Sequence, residues 1–321
     1  MNGSMVVAKR GGLTARQLEM RRTGIGGSEI GAVAGRSRWC SPLEVWRRKV
    51  HGETLEENRH MKRGRLLEPA VADWYAEETG AELRKVGRTL RHRGRPVAIA
   101  TPDRIARLQG APRVLEIKTV NFAKPEEWGP SGTDEVPTPY LMQVAWTMAV
   151  CDLPAADLAV LVAGDDFRLY HFKRDAELEG NMLELGERFW VDHVVAKVPP
   201  PVCGLDEGWL RERFPSDNGE VLSFEQLTED ARELVTAYLK QWRASKEHER
   251  ATSDLSAQIR ALMGQASSLE GPGFRIDWKQ NRPTTETDWK ALAQAHPELV
   301  AKFTVAKPGI RPLRPYLLKA A

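Results

Sequence analysis

The segment Arg113–Val120 constrains the fold of this 321-residue chain more than any other part of it. Its alternation predicts a β-strand, because successive side chains of a strand point to opposite faces. Leu115 and Ile117 therefore share one face and point into apolar packing, whereas Glu116 and Lys118 share the other. The elements before and after this strand then decide the fold class.

Those elements alternate between helical and extended patterns. Ser41-Pro42-Leu43-Glu44 combines a capping serine, a proline at the first helical position and a glutamate at the third, which together begin a helix. The predicted order is helices at 41–51 and 58–78, strands at 82–90, 97–101 and 113–120, a helix at 140–150, strands at 158–163 and 168–173, and a helix at 176–197. Helix, three strands, helix, two strands, helix indicates an α/β layer arrangement around a central sheet.

A linker divides the chain into two regions. Residues 199–219 are rich in proline and turn-forming residues and separate a domain at 15–200 from an accessory region at 205–321. The accessory region is helical over 228–263, either as one helix or as a hairpin. A strand is predicted at 274–279 and a strand followed by a tail at 303–315, and residues 1–14 are predicted to be a flexible tail.

Composition excludes several classes of protein. Apolar residues make up 41% of the chain and charged residues 28%, which is ordinary for a globular protein. No stretch approaches the roughly 18 apolar residues of a membrane span, and the N-terminus lacks an apolar run long enough for a signal peptide. Three distant cysteines fit a reduced, intracellular protein without disulfides and fail any CxxC pattern. We therefore expect a cytoplasmic protein with no membrane partner.

The charge is unevenly distributed. Residues 1–65 hold 14 Lys and Arg against 6 Glu, a balance of +8, whereas the rest of the chain is mildly acidic. A second basic run, residues 84–95, carries six Lys and Arg and no acid. Basic stretches of this kind are either solvated surface or the contact surface for a polyanion such as nucleic acid.

A group of acidic and basic residues lies around the third predicted strand. Asp103 ends the strand before it, so a tight connection places its carboxylate beside Glu116. Two neighbouring carboxylates repel unless a divalent cation lies between them. A lysine beside such a site, here Lys118, can orient a water or stabilise the charge that develops during metal-assisted phosphodiester hydrolysis. The alternative is an ordinary Glu–Lys pair on an exposed sheet.

Three further features favour the metal site. Glu68 shares a helical face with Val71 and Tyr75, so its carboxylate is expected to face inward, where it needs a partner or a metal. Gln143 lies on the helix that follows the third strand. The basic N-terminal segment leads directly into the same unit.

Gly24-Ile25-Gly26-Gly27-Ser28 precedes a short helix and offers backbone N–H groups to an anion. Arg21 can add a bidentate phosphate contact. The alternative is a glycine-rich helix cap without a ligand. Trp39 and Trp46 are predicted to be core residues, with DNA stacking as the alternative.

Five motifs follow one another with compatible spacing. They are Arg21-x2-Gly24-Ile25-Gly26-Gly27-Ser28, Gly64-x3-Glu68, Pro102-Asp103, Glu116-Ile117-Lys118 and Tyr140-x2-Gln143. The series resembles the YqaJ-type viral recombinase family, whose archetype is phage lambda exonuclease, within the PD-(D/E)XK nuclease superfamily. The resemblance covers about residues 15–200. It implies an α/β restriction-endonuclease-like core with a central mixed sheet flanked by helices, to which the helical and stranded C-terminal region is an extension.

The resemblance also implies roles for individual residues. Asp103, Glu116 and the carbonyl of Ile117 would ligate one Mg²⁺ or Mn²⁺, and Glu68 would complete that site or bridge to a second ion. The other roles are activation of the attacking water by Lys118, placement of that water or of the scissile strand by Gln143, and binding of the 5′-phosphate by Arg21 and Ser28. The cysteines do not match the four that iron–sulfur nucleases of this superfamily need, so no cluster is expected.

The activity implied is digestion of one strand of duplex DNA from a 5′ end, in a bacterium or phage-infected host. The family enzymes leave a 3′ overhang for recombination and act as ring-shaped trimers, and a partner single-strand annealing protein then loads on the overhang. Alternatives are an endonuclease on the same fold and a non-catalytic protein that binds DNA ends. Two positions depart from the family: Gln17 stands where relatives carry Trp, and Arg104 follows the Pro-Asp where many have Gly. Arg104 either contacts the backbone near the metals or turns outward.

Overall fold

The computed structural model describes residues 15–54, 56–121, 127–307 and 309–315. Its contacts divide the chain into two units, Met1–Leu210 and Arg211–Ala321. The predicted tail at 1–14 lies outside the described residues, as does the side chain of Gln17.

The first unit alternates helices and strands. In chain order they are α1 (Ala15–Arg22), β1 (Ile25–Gly26), α2 (Gly27–Val33), α3 (Pro42–Val50), α4 (Arg59–Thr79), β2 (Glu82–Arg84), β3 (Leu90–Arg91), β4 (Ala98–Ala100), β5 (Arg104–Leu108), β6 (Ala111–Val120), α5 (Thr138–Cys151), β7 (Ala155–Val162), β8 (Asp166–Lys173) and α6 (Ala176–Phe189). Ser41 caps α3 by accepting from the Glu44 amide, as its sequence predicts.

The central sheet has five strands in the order β2-β5-β6-β7-β8. The β6–β7 pair is parallel and the other pairs are antiparallel. A parallel pair needs a crossover connection, and α5 supplies it. The predicted α/β class with a central mixed sheet flanked by helices is confirmed.

The two faces of the sheet bury different helices. One face packs α2, α5 and α6 around the fully buried Trp146. The other face packs α4, through Val71 and Tyr75, against Leu115 and Ile117 of β6. The predicted alternation of β6 is therefore confirmed, and it leaves Glu116 and Lys118 on the face that α5 covers.

A small second sheet, in the order β1-β4-β3, fixes the glycine-rich segment. β1 runs parallel to β4, and the Ile25 amide donates to the Val97 carbonyl at 2.7 Å. A Cβ on Gly24 would lie 2.4 Å from that same carbonyl oxygen, so only glycine fits there.

Several predicted elements differ from the structure. The strand predicted at 82–90 is wrong as one element, because Gly87 takes a positive φ of 65° and divides it into β2 and β3, which belong to different sheets. β5 was not predicted at all; it forms a hairpin with β6 across Gly110. The helix predicted at 176–197 is α-helical only as far as Phe189, and Trp190–Val195 form a π-helix.

Beyond α6, α7 (Glu207–Arg213) spans the division between the units. The second unit contains α8 (Glu229–Met263), a hairpin of β9 (Ser268–Gly271) and β10 (Phe274–Asp277), α9 (Trp289–Ala295) and α10 (Pro297–Phe303). α8 is one continuous helix, so the alternative of a helical hairpin is wrong. The strand predicted at 303–315 is wrong: residues 304–307 and 309–315 form none. In the part of the chain that the structure describes, no helix is both long and apolar enough to cross a membrane.

Candidate active site

The register of the β5–β6 hairpin brings Asp103 to Glu116. Arg104 pairs with Leu115, so the preceding residue lies opposite the one that follows Leu115. Asp103 directly precedes β5. The prediction that it ends the strand before it is wrong, because β4 stops at Ala100. Its Oδ2 accepts a hydrogen bond from the Ile117 amide at 2.9 Å. The hairpin that sequence reasoning missed is thus the element that places this carboxylate.

Asp103 is an unusual carboxyl group. The pKa of Asp103 is raised to about 8. Desolvation is the largest cause, and the charges of Glu116 and Glu68 act in the same direction, whereas Lys118 and the Ile117 amide lower this pKa. Without a cation, Asp103 therefore keeps its proton to a higher pH than an ordinary aspartate does.

Glu116 is the centre of the hydrogen-bond network. Its side chain is only 5% exposed, and its Oε1 accepts from Lys118 Nζ at 2.7 Å. The Gln143 amide nitrogen donates to the same oxygen from α5. The structure therefore brings together four of the predicted catalytic residues, namely Asp103, Glu116, Lys118 and Gln143.

Lys118 is held as a cation. Desolvation lowers its pKa, but the carboxylates of Glu116 and Asp103 outweigh that effect, and the net pKa lies above the ordinary value. The ammonium also lies 5.9 Å from the ring centre of Tyr140. In this state Lys118 donates hydrogen bonds and stabilises negative charge.

Glu68 lies beside the network but is bonded elsewhere. Its Oε1 accepts from Arg104 at 2.6 Å, and the same guanidinium nitrogen donates to the Asp103 carbonyl oxygen at 2.6 Å. Arg104 is 8% exposed, so the expectation that it could turn outward is wrong. A ligand role for Glu68 would compete with this ion pair and stays a prediction.

The donor set fits a hard divalent cation. Asp103, Glu116 and the Ile117 carbonyl offer only oxygen atoms. Burial first, and then the charge of Glu116, raises the pKa of Asp103, and a cation would offset both effects on the carboxylate. Mg²⁺ is typically held by one or two carboxylates with water and phosphate oxygens completing the shell. Among the described residues, no group of three or more His, Cys, Asp and Glu suited to a metal occurs.

The second predicted pair, Arg21 and Ser28, is also in contact. Arg21 Nη2 donates to Ser28 Oγ at 2.9 Å. Arg22, the next residue, points elsewhere and donates to the Gly52 carbonyl at 3.2 Å. One backbone donor predicted for an anion is already used, because the Gly26 amide donates to Glu29 Oε2 at 2.8 Å.

A buried ion pair supports this turn. Lys49 and Glu29 lie 2.7 Å apart with side chains 2% and 7% exposed, and Lys49 also donates to the Arg21 carbonyl at 2.6 Å. The pair holds α3 against the segment that carries Arg21. Sequence reasoning missed it: Glu29 has the signal of the third position of a capped helix, whereas nothing in the sequence marks Lys49.

The two predicted clusters are neighbours through Gly27. A Cβ on Gly27 would lie 2.9 Å from Thr147 Oγ1 and 3.3 Å from the Gln143 carbonyl oxygen. The start of α2 therefore packs directly on the turn of α5 that carries Gln143, and the Arg21–Ser28 pair adjoins the carboxylate cluster.

The two tryptophans have different environments. Trp46 is 8% exposed and its indole N–H donates to the His193 carbonyl at 2.9 Å, so its predicted core position is confirmed. Trp39 is 55% exposed, so its predicted core position is wrong. Its ring lies 5.6 Å from Tyr140, which connects it to Lys118.

Comparison with known families gives a match over the first unit. Residues 17–154 match the family described as the YqaJ-like viral recombinase domain. The uncharacterized protein YqaJ of Bacillus subtilis (strain 168) is 27% identical over 312 residues, which cover 92% of this chain and 95% of that protein.

Solved structures are more distant. An alkaline exonuclease from Laribacter hongkongensis is 20% identical, with a TM-score of 0.48, and the match covers 62% of this chain and 97% of that one. A phage-related exonuclease from Haemophilus somnus 129PT is 15% identical, with a TM-score of 0.40, over 54% of this chain and 96% of that one.

Proposed function

Because residues 17–154 of this chain belong to the YqaJ-like viral recombinase domain family, we propose that the protein is a metal-dependent exonuclease. It removes nucleotides from the 5′ end of duplex DNA and leaves a 3′ single strand for recombination by annealing. One observation carries the proposal: Lys118 and Gln143 both donate to Glu116, and Asp103 lies beside them, held by the Ile117 amide of the same strand.

The cluster has the groups that phosphodiester hydrolysis needs. A bound Mg²⁺ or Mn²⁺ would be held by Asp103, Glu116 and the Ile117 carbonyl, and would supply Lewis-acid polarisation of the phosphate and a more acidic water. Lys118 donates to the attacking water or to a phosphoryl oxygen and stabilises the negative charge that develops there. Gln143 fixes the Glu116 carboxylate and can orient the water.

The bond change defines the products. The water oxygen forms a bond to phosphorus and the bond from phosphorus to the 3′ oxygen breaks, while the water proton passes to solvent and the departing 3′ oxygen takes one up. Each cycle releases a nucleoside 5′-monophosphate and leaves a new 5′-phosphate on the shortened strand.

That new phosphate gives the Arg21–Ser28 pair a role. A terminal phosphate carries more negative charge than a phosphodiester and offers three acceptor oxygens. Arg21 and Ser28 can bind it beside Gln143, and the strand is then registered for the next cut. An endonuclease has no terminal phosphate to bind, so this pair favours the exonuclease.

We also propose that the protein assembles as a ring-shaped homotrimer, because the family implies it. For the same reason we propose a single-strand annealing protein as the partner that receives the overhang. Size-exclusion chromatography with light scattering tests the first, and co-purification with the annealing protein tests the second.

The proposal is tested with two duplex substrates in Mg²⁺. One is linear with a 5′-phosphate on one end only, and the other is a closed circle of the same sequence. The exonuclease digests the linear duplex from the phosphorylated end and leaves the circle intact. Cleavage of the circle would establish an endonuclease, and binding of linear ends without any cleavage would establish a non-catalytic end-binding protein.

A further inference from the structure

A groove of about 870 Å³ lies in the first unit beside the edge strand β2. Its floor is apolar and includes Leu90, Ile105 and Leu153, which also pack against the main core. The candidate active site described above uses none of its lining residues.

The walls of the groove are basic. Arg84, Arg88 and Arg107 line it, and Glu82 is the one acidic residue that does so among the described residues. Arg107 donates to the Gly110 carbonyl at 2.8 Å. Arg84 and Arg88 are exposed, and neither forms an ion pair with any residue in the described ranges. Their charges are therefore available to a ligand, in contrast to Arg95, which pairs with Glu187.

Part of the groove lining lies on the same face of the sheet as the candidate site. Ile105 is two residues from Asp103 along the chain and points the same way. α5 carries Gln143 near its start and ends at Cys151, which also lines the groove. At a rise of 1.5 Å per residue, the eight steps from Gln143 to Cys151 span about 12 Å.

We propose that this groove binds a single strand of DNA outside the active site. The arginines match the phosphates of the strand, and the apolar floor accepts its sugars and base faces. The inference rests on the proposed function, because the strand bound there is the substrate or product of that site. It adds a second contact that keeps the DNA on the enzyme between cuts.

The test measures binding separately from cleavage. A fluorescent phosphorothioate single strand, which resists hydrolysis, is titrated with the full-length protein over a series of salt concentrations. Arg84→Ala/Arg88→Ala should lower the affinity at least about tenfold and reduce the slope of log affinity against log salt by about 1.4, which corresponds to two lost contacts to a single strand. Arg84→Lys/Arg88→Lys should keep the wild-type slope.

Lys173→Ala/Arg188→Ala is the matched control. Both residues are exposed, neither forms an ion pair with a described residue, and neither lines the groove. The control removes the same charge and should leave the slope unchanged.

Three results would overturn the inference: an equal loss of slope in the control, an unchanged slope in the groove variant, or a polyglutamate peptide that binds the groove more tightly than the DNA strand. If the wild type binds through the groove yet cleaves no DNA, the proposed function fails and this inference stands.

Discussion

Lys118 is proposed to stabilise the negative charge that develops during hydrolysis. It contacts Glu116 and faces Tyr140, and its raised pKa keeps it charged. We expect Lys118→Ala to lower the rate of nucleotide release by about 10²–10⁴-fold, as is typical when a positioned general-base or electrostatic group is removed. DNA affinity should change little. Lys173→Ala, on an exposed strand end, is the control. A variant that cleaves at more than a tenth of the wild-type rate would rule out this role.

Arg21 is expected to bind the 5′-phosphate at the end of the strand. A hydrogen bond to a charged group contributes about 1.5–3 kcal/mol, and this contact is missing when the 5′ end carries a hydroxyl. Arg21→Ala should therefore slow digestion of 5′-phosphorylated ends far more than of 5′-hydroxyl ends, and should reduce processivity. The measurement is the ratio of initial rates on the two kinds of end.

Arg22→Ala is the neighbouring control for that ratio. Arg22 is bonded to the Gly52 carbonyl and points away from Ser28. Its loss should act through general backbone affinity and depend on salt. An unchanged ratio in Arg21→Ala would remove the phosphate pocket and favour the endonuclease.

Asp103 makes the stability of the metal-free protein depend on pH. Its pKa rises from 3.8 to about 8 on folding, so the folded chain holds a proton that the unfolded chain releases. Stability from this group is therefore full below about pH 4 and is lost as the pH rises toward 8. Asn cannot ionise, and we expect Asp103→Asn to exceed the wild type in melting temperature by a margin that grows across this window. A constant margin, measured by thermal denaturation in chelator, would contradict the assignment.

The sequence predicted which of the candidate residues lie close together better than it predicted their contacts. Strand periodicity was enough to place Glu116 and Lys118 on one face. It could not show that Arg104 turns inward to Glu68, because a charged residue at a strand start is usually solvated. It also could not show that Trp39 is exposed, since an isolated aromatic residue gives no sign of its environment.

At the scale of elements, the packing of β1 against β4 positions the Arg21–Ser28 pair. Gly24→Ala would drive a Cβ into the Val97 carbonyl, and overpacking of this kind costs about 1–3 kcal/mol. We expect a lower free energy of unfolding together with a weaker preference for 5′-phosphate. Gly180→Ala in α6 is the control, because nothing lies within 4 Å of its added Cβ. That substitution should stabilise the helix by about 0.5–1 kcal/mol. A Gly24→Ala protein as stable as the wild type would show that the segment can shift.

The order of helices and strands in the first unit followed from periodicity, and the exceptions have local causes. β5 contains the inward Arg104 and exposed Arg107, so its sequence lacks the apolar alternation that predicts a strand. The division of residues 82–91 depends on Gly87 adopting a positive φ, which composition alone does not specify. In α8 the apolar pattern is interrupted over residues 245–254, yet the helix continues through that exposed stretch.

At the scale of the whole molecule, every predicted site residue lies within the first unit. The arrangement joins a carboxylate cluster, a pair of residues suited to a terminal phosphate and a basic groove on one domain. Together they account for a nuclease that begins at an end and stays on its strand. The proposed hydrolysis uses a divalent cation, which would offset the repulsion between the two carboxylates and a phosphate.

The most direct test is therefore the rate of nucleotide release from a 5′-phosphorylated linear duplex by the wild-type protein in Mg²⁺, Mn²⁺, Ca²⁺ and chelator. We expect nucleotide release in Mg²⁺ or Mn²⁺. We expect no release in Ca²⁺, because its looser oxygen geometry misplaces the attacking water, although the DNA stays bound. Full activity in chelator would contradict the metal-dependent mechanism at Asp103 and Glu116.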